Sequence, residues 1–151
     1  MRVRKAAQRS NVLVTISGKR MMGEENEDVQ LVMSGICTEK NGMHVIRCEE
    51  PAEGPEGGTE NTILIGGGCM KITKKGIASV QMGFLNRAER TTSCYSTPFG
   101  DLLIGIRTKD ILIDESSDRL RVSVDYAMEL GGNHLSDCSI QVEVSSCGAE
   151  T

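Results

Sequence analysis

Apolar and polar residues alternate along most of this chain, and no segment sustains helical spacing. A period of two marks strands with one buried face. The clearest run comes late, where Leu120, Val122, Val124, Tyr126, Met128 and Leu130 alternate with Arg121, Ser123, Asp125, Ala127 and Glu129. Gly131-Gly132-Asn133 then turns the chain, and Cys138, Ile140, Val142 and Val144 repeat the alternation. Near the start, a strand over 11–20 sets Val12, Val14 and Ile16 on one face. An acidic turn over 24–28 follows, then a strand with Val29, Leu31, Met33, Gly35 and Cys37 on a common face. Asn41-Gly42 predicts a two-residue hairpin turn, because both residues tolerate positive φ, and the return strand covers 43–49.

Residues 50–60 read as the one long loop, with Pro51, Gly54, Pro55, Gly57 and Gly58. Strand character resumes over 62–66, and Gly66-Gly67-Gly68 suits a bulge or a sharp bend at a barrel corner. Strands over 69–74 and 77–84 form a hairpin about Lys75-Gly76. A strand over 90–97 ends in Thr97-Pro98-Phe99-Gly100, a type I turn sequence. Leu102, Ile104 and Ile106 alternate next, and a short strand over 111–113 leads into a polar turn over 114–118.

The count is about ten strands on short turns, with no crossover helices. Such a meander has exposed edges unless it closes or folds over. The chain is therefore expected to be all-β, a closed antiparallel up-and-down barrel of about 8–10 strands, with a two-sheet sandwich as the alternative. Its 151 residues suit one domain with a core of its own. The expected divisions are a basic, frayed segment over 1–10, the barrel over 11–146 and a tail over 147–151.

Composition narrows the function classes. No stretch approaches the roughly 20 apolar residues of a membrane span, and no signal-peptide run follows the charged start, so a cytoplasmic, membrane-free protein is expected. Two Phe, two Tyr and no Trp leave few platforms for base stacking. Arg2, Arg4, Lys5 and Arg9 crowd the start, leaving 13 of the 17 basic residues to face 21 acidic ones. An acidic body repels phosphate backbones, so nucleic acid is not the expected partner. The six cysteines include no CxxC and are expected to be reduced, buried or half-buried thiols.

Three stretches carry a family resemblance: the hairpin from Met33-Ser34-Gly35 to Glu49-Glu50, then Tyr95-Ser96-Thr97-Pro98-Phe99-Gly100 with the alternation after it, then Val122-Ser123-Val124-Asp125-Tyr126. In this order and spacing the chain resembles the YwiB-like family, small bacterial proteins of the calycin type, over residues 11–145. The resemblance implies a lipocalin-like β-barrel and brings no catalytic residues. Family members tend to carry tyrosines where this sequence has Arg47 and Cys48 before Glu49 and Glu50.

Common chemistries find little support. His44 and His134 flank or occupy turns and are expected to face solvent; they lack the short spacing of metal ligands. Glu49 and Glu50 are adjacent, so a strand points them to opposite faces. Gly66-Gly67-Gly68-Cys69-Met70-Lys71 lacks both the ending and the following helix of a phosphate loop. Tyr126 lies on an apolar face and points into the barrel, where its hydroxyl needs a partner. Tyr95 and Thr97 share a strand face, Arg47 could hold a carboxylate if it points inward, and Arg107 is expected to face out. The candidate ligand-binding residues are thus Arg47, Glu49, Tyr95, Thr97 and Tyr126, with no catalytic residue, metal or cofactor assigned. A barrel of about eight strands either fills with side chains or holds one small ligand. The expectation is a barrel binding a small, mostly apolar ligand; the alternative is a ligand-free scaffold or interaction module with a filled core, with homo-oligomers possible through exposed edges.

Overall fold

A computed structural model describes residues 8–22, 25–50, 58–76, 79–85 and 90–146. The expected segments 1–10 and 147–151 lie mostly outside them, as does most of the proline-rich loop. The described residues form ten strands: β1 (Gln8–Met22), β2 (Glu25–Lys40), β3 (Met43–Glu50), β4 (Thr59–Gly66), β5 (Cys69–Lys75), β6 (Ser79–Phe84), β7 (Arg90–Thr97), β8 (Gly100–Glu115), β9 (Arg119–Leu130) and β10 (Asn133–Ser146). Each pairs antiparallel with its neighbours in sequence, and β1 pairs with β10 to close a barrel. Closure leaves no sheet to fold over, so the architecture is a barrel and not a sandwich. Among the described residues no helix is long and apolar enough to cross a membrane.

Three elements differ from the sequence expectation, each for a physical reason. The acidic stretch over 25–28 is strand, because the β1–β2 ladder sets Lys19 opposite Asp28 and Arg20 opposite Glu27. Opposite charges directly across a ladder favour pairing. The segments over 102–107 and 111–113 are one strand, β8, whose register slips between Thr108 and Asp110. That irregularity adds a residue, so Ile104, Ile106 and Thr108 face the lumen before it, and Ile111 and Ile113 after it. Gly66-Gly67-Gly68 is no corner: Gly67 and Gly68 form a hairpin turn with φ of 60° and 75°. Asn41 and Gly42 do the same at 56° and 78°, the left-handed pair that a tight turn between twisted strands requires.

The lumen is packed unevenly. Toward the end that holds the Asn41-Gly42 and Gly67-Gly68 turns, here the lower end, Ile46, Ile63, Ile65, Met70, Phe84 and Ile106 are at most 1% exposed. Toward the upper end, where β7 meets β8 and β9 meets β10, packing thins. On β2, Met33 is 3% exposed, whereas Val29 on the same inward face is 60% exposed. Among the described residues, the seam between β6 and β7 is the thinnest, with three registered pairs. There Ser93 Oγ donates to the Gln81 carbonyl at 2.7 Å and Thr91 Oγ1 to that of Gly83 at 2.9 Å, continuing the ladder with side chains.

Candidate ligand-binding site

At the upper end the lumen contains a cavity of about 190 Å³. Its walls are apolar where Val29, Met82, Met128 and Ile140 face in, and polar where Tyr95, Tyr126, Cys138 and Arg20 do. Strand alternation places each of them. Gly18 follows Val12, Val14 and Ile16 on the inward face of β1, opposite Val29 and Ile140. The space of its missing side chain is part of the cavity. The floor is the Tyr126 ring leaning on Phe84, with centroids 4.9 Å apart and planes at 55°.

The two phenols are held neutral. Burial pushes the Tyr126 hydroxyl well up, reinforced by the Cys138 thiol and opposed by the Arg20 guanidinium. Burial raises Tyr95 as well, again with the Cys138 thiol and against Arg20. Among the described residues Tyr95 Oη donates only a weak bond, 4.0 Å to Met82 Sδ, which a stronger acceptor would displace. Arg20 pairs at 2.5 Å with Glu27 at the rim. The chamber thus offers neutral hydroxyl donors and a rim cation around an apolar body.

A second polar group lies inside β3, β4 and β5. Asn61 is fully buried and its Nδ2 donates to Glu50 Oε2 at 2.9 Å, which also lies 3.5 Å from Lys74 Nζ. Among the described residues, Asn61 Oδ1 has no partner. Burial, then the charge of Glu50, pushes the neighbouring Cys48 thiol up to about 11, against the opposing charge of Lys74. Glu49 points outward while Glu50 points in, as adjacent strand residues must.

The five residues singled out from sequence do not form one site. Tyr95 and Tyr126 meet in the cavity. Arg47 and Glu49 are exposed and flank an external groove of about 520 Å³ between β2 and β3, beside Ser34 and Ile36. The groove is larger than the lumen cavity and lies on the outer surface with Arg47, Glu49 and Glu60 along it, whereas the lumen cavity keeps its charged residues, Lys19, Arg20 and Glu27, to the rim around an apolar interior. Thr97 is exposed and braces its turn, its Oγ1 donating to the Gly100 carbonyl at 2.8 Å and accepting from the Phe99 amide at 3.1 Å. Arg107 faces out, as its alternation predicts. His134 is exposed, but His44 is half-buried at 12% side-chain exposure, not solvent-facing, because it stands on the inward face opposite Ile65. Cys48 and Cys138 are buried, Cys37, Cys69 and Cys94 are half-buried, and all five are free thiols; Cys147 lies outside the described residues. Sequence reasoning passed over Gly18, Arg20 and Cys138 as cavity residues. The available signal was a glycine, then an arginine, continuing the inward face of Val12, Val14 and Ile16.

The chain is similar to one solved structure in particular, the crystal structure of the ywiB protein from Bacillus subtilis. The TM-score is 0.81 at 16% identity, covering 95% of this chain and 96% of that one. At that identity the likeness speaks for the fold. No curated protein matches. Residues 14–142 match the family model described as Domain of unknown function (DUF1934), and by the extent of that match the chain belongs to the DUF1934 family.

Proposed function

We propose that this protein binds a small, mostly apolar ligand in the upper half of the barrel. The observation that carries the reading is the cavity of about 190 Å³ facing Tyr95 and Tyr126. An apolar cavity of about 150 Å³ is enough for benzene, so the guest is of single-ring size. It is smaller than the drug-sized ligands that occupy roughly 300–1,000 Å³. Its apolar body lies against Met82, Met128 and Ile140, and an acceptor such as a carbonyl or carboxylate accepts hydrogen bonds from the phenolic hydroxyls. Methionine walls adapt to a guest's shape at little cost.

Native mass spectrometry of the freshly purified full chain, beside its denatured mass, tests this reading. An extra, reproducible mass that leaves on denaturation is the expected result. Equal masses in both states, with no small aromatic alcohol or acid taken up on titration, contradict it and favour a filled scaffold.

A further inference from the structure

At the opposite end of the barrel, three side chains converge that the ligand-binding reading does not use. Glu39 and His44 are register partners across the Asn41-Gly42 hairpin, so they stand side by side on one face. Glu115, the last residue of β8, comes from five places round the ten-strand ring from β3. No ladder joins those strands, so the contact is made across the lumen by side chains alone. His44 Nε2 lies 3.2 Å from Glu115 Oε2, and one nitrogen or oxygen from each of the three residues lies within 4.8 Å of the others.

A simple ion pair accounts for His44 and Glu115, and the exposed Glu39 adds a third donor beside them. Two carboxylates held this close repel, and one imidazole, even protonated, balances only one of them. Among the described residues neither carboxylate has a Lys or Arg partner within 4 Å. The donors are one imidazole nitrogen and carboxylate oxygens, a set that first-row divalent cations accept. Two such donors, each about 2.0–2.2 Å from one ion, stand roughly 3.0–3.5 Å apart, which brackets the 3.2 Å between His44 and Glu115.

We propose that Glu39, His44 and Glu115 bind a first-row divalent cation of the Zn²⁺ or Mn²⁺ type, which ties the end of β8 to the β2–β3 hairpin across the base of the barrel. The cation supplies the positive charge that the second carboxylate lacks.

Calorimetric titration of the full chain with Mn²⁺, under reducing conditions, tests the site. Mn²⁺ is the better probe than Zn²⁺ because the chain's thiols compete for softer ions. Saturable uptake of one ion per chain is expected, with affinity falling roughly tenfold or more in His44→Ala and in Glu115→Gln. Asp137→Asn, which alters the exposed His134–Asp137 pair elsewhere, should leave uptake unchanged. Glu115→Gln changes a surface side chain and keeps its size, so it reports on the site even if His44→Ala unfolds. Absence of saturable uptake overturns the proposal, and so does equal affinity in Glu115→Gln and the unaltered protein.

Discussion

Replacing Gly18 by leucine should make the protein more stable, the reverse of the usual result for enlarging a residue inside a fold. A Cβ built on Gly18 meets only the Ser139 carbonyl oxygen, at 3.8 Å, an ordinary contact. The rest of the side chain extends into the cavity of about 190 Å³. Four added carbons, each taking about one water's share of liquid volume, ~30 Å³, need roughly 120 Å³ and fit. Their burial contributes about 0.8 kcal/mol each, near 3 kcal/mol together. Removing a glycine from a strand adds about 0.5–1 kcal/mol, and fixing the leucine rotamer costs about 0.5–1 kcal/mol. Solvent at the rim trims the total, so the net gain should be about 2 kcal/mol. In urea the midpoint should rise with the slope unchanged, and the melting temperature should rise by about 4–8 °C. The same variant should lose any bound ligand. If Gly18→Leu is destabilised by about 1–3 kcal/mol, as overpacking costs, the upper lumen is already filled and the reasoning fails.

Three further outcomes follow from particular contacts. Gly35→Ala should cost about 1–3 kcal/mol in urea denaturation, because its Cβ would lie 2.6 Å from the Arg47 carbonyl oxygen and 2.9 Å from Cys48 Cβ; an unchanged midpoint would show that β2 and β3 part easily there. Ser93→Ala strips the Gln81 carbonyl of its 2.7 Å partner and should cost about 1–3 kcal/mol, with hydrogen exchange quickening first in β6 and β7. Cys48 has its folded pKa raised to about 11, so the folded state keeps a proton that the unfolded state releases above about pH 8.5–9. Its contribution is therefore full below that range and lost as pH rises through 11, by the order of 1–2 kcal/mol; the stability profile of Cys48→Ala should be flatter there, and a parallel profile would refute the assignment.

Legibility varied with the range of the interaction. The alternation of β9 put Tyr126 inside because period two is local and needs no partner. Asn41-Gly42 fixed its hairpin for the same reason. The β8 irregularity at Thr108 was hidden, since one extra residue makes a continuous strand look like two short ones with opposite phase. The acidic residues over 25–28 looked like a solvated turn until Lys19 and Arg20 lay across from them. Glu39, His44 and Glu115 could not be assembled from spacing at all, because strand stagger and ring closure bring Glu115 across the lumen. Arg47 and Glu49 drew notice beside a resemblance motif, yet their parity on β3 turns them to the outside.

The central claim is a lumen packed solid below and hollow above, and methionine methyl NMR reads it directly. With methyl-labelled methionine and added phenol, the Met82 and Met128 methyl signals should shift in a saturable way, because both face the cavity. Met70, 1% exposed in the packed half, should stay in place. Unmoved Met82 and Met128 signals, or a uniform drift of every methionine including Met70, would contradict the account.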